Sequence, residues 1–216
     1  MNIKALKKAS IASFDVDAQN TFTPLCPAEL PVPGGNEIAG ELNAQAALAS
    51  LRVGSKDAHS PAAVWVATDA APQFSPVAGD NVDIRWNLHG VPGTPGFDLI
   101  EGLPRPADYD YFVWKGVEPD MHPYGACYHD LAGRRSTGVI EFLRSRGIET
   151  VLLGGLATDY CVKTTALQLR AAGFDVVVNL GACRGIAGDT VAKAIAEMAG
   201  AGIRFVDRAA DIVVEG

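Results

Sequence analysis

The chain has 216 residues, of which 48% are hydrophobic and 20% are charged. This balance is typical of a globular protein and excludes a disordered chain, and no apolar run is long enough for a transmembrane helix. With 18 basic and 25 acidic residues the formal net charge is −7, which argues against nucleic acid or an anionic membrane as a partner. We expect one domain over residues 1–216.

Helix-forming and strand-forming segments alternate along the chain. In chain order the predicted elements are a strand over 11–16, a helix over 36–51 with Asn36 as N-cap, a weak strand over 51–55, a strand over 109–114, a helix over 136–146, a strand over 150–153, a helix over 158–172, a strand over 174–179, a helix over 190–199 capped by Asp189 and a strand over 203–206. This order predicts a three-layer αβα fold around a mainly parallel six-stranded sheet. The long segment over 60–108, rich in Pro, Gly and Asp, is expected to be a packed loop that forms part of a site.

The chain has four cysteines, and no two of them form a C-x-x-C pair. The spacing therefore offers neither a zinc knuckle nor a thioredoxin-type motif. The first residues lack the pattern of a secretory signal peptide, so we expect a cytoplasmic protein with free thiols. Cys26, Cys127 and Cys183 are interpreted as structural.

Three reactive side chains follow predicted strands, at the sheet edge where ligands bind in open parallel sheets. Asp17 follows the first strand, Lys115 the third and Cys161 the fourth. With Thr158 as N-cap, the Cys161 sulfur would lie at a helix N-terminus, where unpaired N–H groups favour a thiolate. Each residue alone is more simply a packing or surface residue, but a thiol, a carboxylate and a cation together suit acyl transfer from an amide.

A second group is Asp57-x-His59, with His89 further along the chain. A carboxylate and an imidazole two residues apart at a strand end point to the same side, as metal ligands often do, although this spacing is common. His122 and His129 lie in a segment with no matching carboxylate pattern, and we do not assign them to a metal.

Segments spread over most of the chain resemble the isochorismatase-like cysteine hydrolases and, among them, nicotinamidases and pyrazinamidases. The most specific segment is residues 155–162, GLATDYCV, which is close to the nucleophile signature G-x-A-T-D-x-C-V. The other similar segments are residues 17–22 (DAQNTF), 30–35 (LPVPGG), 56–61 (KDAHSP), 86–96 (WNLHGVPGTPG) and 114–116 (WKG).

The resemblance implies the isochorismatase-like (Rossmann-like) fold and a set of catalytic roles. Cys161 would be the nucleophile and Asp17 the general base and acid, while Lys115 would lower the thiol pKa and orient the pair. The backbone N–H groups of Ala157 and Cys161 would form an oxyanion hole, with a cis peptide between Leu156 and Ala157.

The resemblance also implies a metal site and a reaction. Asp57, His59 and His89 would bind one divalent metal ion, zinc in first place with iron or manganese as alternatives, and the metal would take the pyridine nitrogen of the substrate. Phe22 and Trp86 would sandwich the ring. The implied reaction is hydrolysis of nicotinamide, or of pyrazinamide-type analogues, to the acid and ammonia through a thioester. The family also implies a homodimer or a larger homo-oligomer.

One departure from the family concerns the metal site. Many members supply a further His or Glu several residues after D-x-H, whereas here the nearby positions hold Ala63, Val64 and Trp65. We expect water or Asp69 to complete the ligand set.

Two other functions stay open at this point. A related amidohydrolase acting on an acyclic amide or carbamoyl compound would lack the metal, and a catalytically silent binding protein would keep the fold without the activity. A dinucleotide-binding reductase is disfavoured because no G-x-G-x-x-G follows the first strand.

Overall fold

The computed structural model describes residues 6–215. Residues 1–5 and 216 lie outside this range, so the assignment of residues 1–216 to one domain stays a prediction. The strands are β1 (Leu6–Lys7), β2 (Ile11–Val16), β3 (Leu51–Asp57), β4 (Tyr111–Lys115), β5 (Thr150–Leu156), β6 (Asp175–Arg184), β7 (Arg204–Val206) and β8 (Val214–Glu215). The helices are α1 (Ala39–Ala47), α2 (Val139–Ser145), α3 (Lys163–Ala171) and α4 (Gly188–Gly200).

The main sheet has six parallel strands in the order β4-β3-β2-β5-β6-β7, which confirms the predicted fold class. The central strands β2 and β5 are buried along their whole length, as expected for a sheet covered on both faces. A short parallel pair of β1 and β8 forms a second sheet that the sequence analysis did not predict.

Alternate side chains of β2 point to opposite layers of helix. Phe14 packs in the same apolar cluster as Leu143 of α2, Leu169 of α3 and Met198 of α4. Ser13, its neighbour on the strand, accepts a hydrogen bond from the Gln45 side chain of α1. Because successive side chains of a strand point to opposite faces of the sheet, α1 lies on one face and α2, α3 and α4 lie on the other.

Two predicted helix caps are wrong. Asn36 lies in a separate 3-10 turn, Gly35–Glu37, and α1 begins only at Ala39. Asp189 lies inside the first turn of α4 rather than at its N-cap position. Neither helix has a side-chain cap, because the N-cap residues are Ile38, two residues after Asn36, and Ala187, two residues before Asp189, and both side chains are apolar.

The strand β6 is longer than the predicted segment over 174–179. Its pairing with β5 shifts register between Leu153 and Gly155 and then resumes, so that Gly155 lies opposite Cys183. A Cβ atom at Gly155 would overlap the backbone carbonyl oxygen of Val16, so only glycine lets β2 and β5 approach this closely. The shift extends both strands toward the edge of the sheet where Cys161 lies.

The segment between β3 and β4 contains short turns and isolated bridges, such as the one between Val66 and Trp86. Trp65, Trp86 and His89 of this segment are nonetheless buried. The segment is therefore a packed loop, as predicted, and it covers the carboxyl edge of the sheet. Within residues 6–215, no helix is both long enough and apolar enough to cross a membrane.

Candidate active site

Four buried reactive side chains lie where neighbouring parallel strands end. Asp17 directly follows β2, and Asp57 and Lys115 are the last residues of β3 and β4 and lie opposite each other. Cys161 lies in the turn that follows β5. Because β2 lies between β3 and β5, the sheet brings the three predicted catalytic residues together.

The ammonium group of Lys115 is the centre of this cluster. Its Nζ atom lies 3.1 Å from the Oδ2 atom of Asp17 and 3.7 Å from the Sγ atom of Cys161, and it also pairs with Asp57. Burial alone would lower the pKa of Lys115, but the carboxylates of Asp17 and Asp57 raise it well above its ordinary value. Lys115 is therefore a fixed positive charge.

Burial raises the pKa of the Asp17 carboxyl group to about 6, even though the Lys115 charge opposes the rise. The hydroxyl of Ser55 donates a 2.6 Å hydrogen bond to Oδ1 of Asp17 and holds the carboxyl group in place. A carboxyl group with a pKa near neutrality is suited to take up a proton in one step and release it in the next.

The resemblance implied that Lys115 lowers the pKa of the Cys161 thiol, and its charge does so, but burial has the larger effect. Burial raises the pKa of the thiol well above its ordinary value, because the loss of hydration outweighs the attraction of Lys115, and a hydrogen bond with Asp17 adds to the rise. Burial thus favours the protonated thiol, so a base is needed to take up the proton as the sulfur attacks.

The turn that carries Cys161 differs from the predicted helix start. Residues Thr158–Val162 form a single π-helical turn before α3, and Ala157, not Thr158, occupies the N-cap position. The Ala157 carbonyl accepts hydrogen bonds from the backbone N–H groups of Tyr160 and Val162, at 3.1 Å each. The peptide between Leu156 and Ala157 is cis, as the resemblance implied.

The predicted metal ligands also lie together. His59 and His89 each donate a hydrogen bond from Nδ1 to a backbone carbonyl, that of Gly116 at 3.0 Å and that of Asn87 at 2.7 Å. Their Nε2 atoms lie 3.4 and 3.6 Å from the two carboxylate oxygens of Asp57. A Cβ atom at Gly116 would overlap the His59 ring, so glycine is needed for this approach.

These residues fit a divalent metal ion. The buried Nε2 atom of His59 has no hydrogen-bond partner, and the bonds at Nδ1 set the tautomer that leaves Nε2 free as a ligand. Although burial opposes it, the charge of Lys115 and the nearby His59 hold the pKa of Asp57 well below its usual range, so the carboxylate is ionised. Burial lowers the pKa of His89 and favours its neutral, metal-binding form. Imidazole and carboxylate donors together suit zinc, iron or manganese.

The sequence analysis missed His122. Its ligand atoms and those of His59 and His89 all lie within 4.8 Å of one another. The residue comes from the irregular segment between β4 and α2, where no periodic pattern predicts which side chains turn inward. The one available signal was the small number of histidines, since three of the four in the chain meet here. Asp69, our candidate for a further ligand, is exposed and lies outside this group.

A small cavity opens beside the two groups. Its lining includes the predicted ring-binding residues Phe22 and Trp86, together with Cys161. Tyr124 and Tyr160 also line it and were not predicted. The Tyr124 hydroxyl accepts a hydrogen bond from Trp86 Nε1 at 3.2 Å, which fixes the indole at the cavity wall.

All four cysteines are free thiols. Cys127 and Cys183 are buried in the main apolar cluster, and burial raises the pKa of the Cys183 thiol to about 12. Cys26 is half-buried, and burial together with the nearby Glu29 raises its pKa. None of these three lines the cavity, so Cys161 is the cysteine placed for chemistry.

The chain is similar in sequence and in structure to known nicotinamidases and pyrazinamidases. Residues 14–210 match the isochorismatase domain family. The chain is 31% identical over 197 residues to the nicotinamidase/pyrazinamidase of Mycobacterium tuberculosis. The aligned region covers 88% of this chain and 95% of that protein. Among solved structures, an Acinetobacter baumanii nicotinamidase/pyrazinamidase superposes with a TM-score of 0.85 at 28% identity, covering 94% of this chain and 98% of the other. A Pyrococcus horikoshii pyrazinamidase in complex with zinc superposes with a TM-score of 0.72 at 28% identity, covering 91% and 98%.

Proposed function

This chain belongs to the isochorismatase family, and from that premise we propose that it is a nicotinamidase, an amidohydrolase that converts nicotinamide to nicotinic acid and ammonia. One observation carries the proposal: the Cys161 thiol and the imidazoles of His89 and His122 open on the same aromatic cavity. A planar ring with a nitrogen atom at one end and a carboxamide at the other matches this arrangement. Nicotinamide and pyrazinamide are such molecules.

The first half of the reaction forms a thioester. Asp17 takes the thiol proton while the Cys161 sulfur bonds to the carboxamide carbon, and the backbone N–H groups of Ala157 and Cys161 stabilise the resulting oxyanion. Asp17 then gives the proton to the amide nitrogen, the C–N bond breaks and ammonia leaves. Throughout, the fixed charge of Lys115 balances the negative charge that moves between sulfur and carboxylate.

The second half hydrolyses the thioester. A water molecule enters where ammonia left, Asp17 takes one of its protons, and the hydroxide bonds to the acyl carbon. The C–S bond breaks, the acid is released, and the proton returns from Asp17 to the sulfur of Cys161. Asp17 thus acts as base and acid in turn, in keeping with a pKa of about 6.

Asp57, His59 and His89 would hold a divalent metal ion, since the Nε2 atoms of both histidines face the Asp57 carboxylate. Zinc is our first choice, because the P. horikoshii relative was solved with zinc. When bound, the metal supplies a Lewis-acid position for the ring nitrogen of the substrate. Phe22 and Trp86 supply flat apolar surface to the ring from the cavity wall. Together they orient the carboxamide toward Cys161.

The cellular setting follows the same proposal. Free thiols at all four cysteines suit a reducing compartment, so we place the protein in the cytoplasm. The proposed nicotinamidase activity would place it in the salvage of NAD. We also propose a homodimer or a larger homo-oligomer, on the family resemblance alone. Light scattering after gel filtration measures this directly.

The substrate is tested by a panel of amides. Ammonia release is measured with nicotinamide, pyrazinamide and an acyclic amide of similar size. The proposal expects the two ring amides to be hydrolysed and the acyclic amide to react far more slowly, because it leaves the aromatic wall and the histidine cluster without a partner. Faster release from the acyclic amide would favour the related amidohydrolase, and no release from any amide would favour the silent binding protein.

A further inference from the structure

We propose that His122 is a fourth protein ligand of the divalent metal, beside Asp57, His59 and His89. The inference rests on the proposed function in one respect, since it takes that metal to be present. The D-x-H pattern leaves one ligand position open. A residue from a different loop, the loop that follows β4 in the chain, would fill that position.

The His122 side chain is almost fully buried, yet neither ring nitrogen has a hydrogen-bond partner. Leaving a buried polar nitrogen without a partner is destabilising, so native proteins rarely retain one without a reason. A metal ion on the ring would supply the missing partner.

His122 also lies close to the predicted metal ligands. The ring of His122 stacks on that of His59 with centroids 5.1 Å apart and planes 18° from parallel. The Nε2 atom of His59 is also without a hydrogen-bond partner and faces the Asp57 carboxylate. A ligand nitrogen of His122 therefore lies in one small group with those of His59 and His89. The Asp57 carboxylate lies against the Nε2 atoms of His59 and His89.

Three hydrogen bonds hold the backbone around His122. Its own N–H group donates to the carbonyl of Asn81 at 2.9 Å. The indole of Trp65 donates to the Met121 carbonyl at 3.0 Å, and the Lys115 ammonium donates to the Pro123 carbonyl at 3.1 Å. The loop is thus fixed on both sides of His122, as a preorganised ligand requires.

Trp65 explains why the ligand comes from this loop. It occupies the stretch after His59 where many family members carry a further His or Glu, and its ring packs edge-on against His59 at 4.6 Å and His122 at 4.4 Å. A bulky indole there excludes a ligand from that direction. The same indole anchors the loop that carries His122, through its hydrogen bond to the Met121 carbonyl.

A fourth protein ligand limits the choice of metal. An ion that takes only four ligands would have no position left for water or substrate, whereas an ion that accepts five or six would keep one. We therefore expect an ion with five or six ligands, either zinc with an expanded coordination shell or, as alternatives, iron(II) or manganese(II).

The test compares metal binding by the full-length wild type and by His122→Phe. Phenylalanine keeps a flat ring against His59 and removes only the ligand atoms. Two variants serve as controls: His129→Asn changes the one histidine outside the cluster, and Tyr124→Phe alters the cavity wall without removing a ligand. Metal-free protein is prepared with chelator, and its thermal midpoint shows whether each variant folds.

The first readout is affinity for cobalt(II) in competition with a coloured chelator. We expect His122→Phe to bind at least about tenfold more weakly than wild type, because even partners behind the ligands change affinity by about 10–100-fold. Both controls should bind like wild type. Wild-type affinity in a folded His122→Phe protein would overturn the proposal.

The second readout counts the imidazoles directly. In the proton NMR spectrum of the cobalt(II) protein, each ligating histidine gives its own paramagnetically shifted ring signals. We expect three sets in wild type and two in His122→Phe, and two sets in both proteins would overturn the proposal. Neither readout depends on amide hydrolysis, so a protein that shows three sets but releases no ammonia would refute the proposed function and leave this inference standing.

Discussion

The Nζ atom of Lys115 lies 3.1 Å from the Oδ2 atom of Asp17, and both side chains are completely buried. This ion pair spans two strands that are not neighbours, since β3 separates β4 from β2. Removing one member of such a pair leaves the other charge buried without compensation. Catalysis and stability are therefore linked at this contact.

The variant Lys115→Met is expected to lose both activity and stability. Asp17 and Asp57 would then face each other as buried carboxylates without a cation, so the free energy of unfolding should fall by about 3–5 kcal/mol, measured by urea denaturation at neutral pH. The control is Lys163→Met, which removes the partly exposed ion pair with Glu197 and should change stability by no more than about 1 kcal/mol. Equal losses in the two variants would contradict this assignment.

The acid side of the pH profile is expected to report Asp17. Burial raises the pKa of Asp17 to about 6, and the carboxylate must be ionised to take the thiol proton. As the pH falls through about 6, the group becomes protonated, so kcat/KM should decline. In Asp17→Asn, kcat/KM should drop by about 10²–10⁴-fold and lose this acid limb.

Asp15 provides the matched control for that profile. It lies in β2, two residues before Asp17, and burial raises its pKa to about 6 as well. It pairs with Arg52 rather than with the catalytic group. Asp15→Asn should keep the acid limb of the wild-type profile. If Asp15→Asn lost the acid limb and Asp17→Asn kept it, the titrating group would be Asp15, which would contradict the role of Asp17.

Removal of the metal is expected to lower both activity and thermal stability. An ion that binds only the folded state raises the unfolding midpoint, so dialysis against chelator should lower it, and added metal should restore it together with ammonia release. In His59→Asn, added metal should restore neither. A metal-free protein, verified by elemental analysis, with the full wild-type rate and midpoint would contradict the metal assignment.

The cavity wall at Trp86 is expected to govern substrate binding. Trp86→Leu keeps an apolar side chain but removes the flat ring, and an aromatic contact contributes about 0.5–1.5 kcal/mol, so KM for nicotinamide should rise about 2–12-fold with a smaller change in kcat. Phe74→Leu is the control, because Phe74 is half exposed and packs against Trp86 without lining the cavity. A rise in KM for Phe74→Leu alone would contradict the role of Trp86.

The catalytic edge of the sheet was predictable from the sequence because parallel strands place their carboxyl ends together. Strands such as β2 and β5 are short apolar runs, and the polar residue after each run marks the site. Asp17 and Cys161 could therefore be placed side by side without any knowledge of side-chain contacts.

The ligand His122 and the electrostatics of Cys161 could not be predicted in this way. His122 depends on how an irregular loop folds back, which is set by contacts such as the Trp65 indole on the Met121 carbonyl rather than by a repeating pattern. The raised pKa of Cys161 depends on the depth of burial, and a motif at a helix start gives no information about depth.

Ammonia release from nicotinamide by Cys161→Ala and Cys127→Ala tests the central claim most directly. Both cysteines are buried, but only Cys161 lines the cavity and contacts Lys115. We predict that wild type and Cys127→Ala release ammonia and that Cys161→Ala, folded and loaded with metal, releases none above the uncatalysed rate. Release at the wild-type rate by Cys161→Ala would contradict the account.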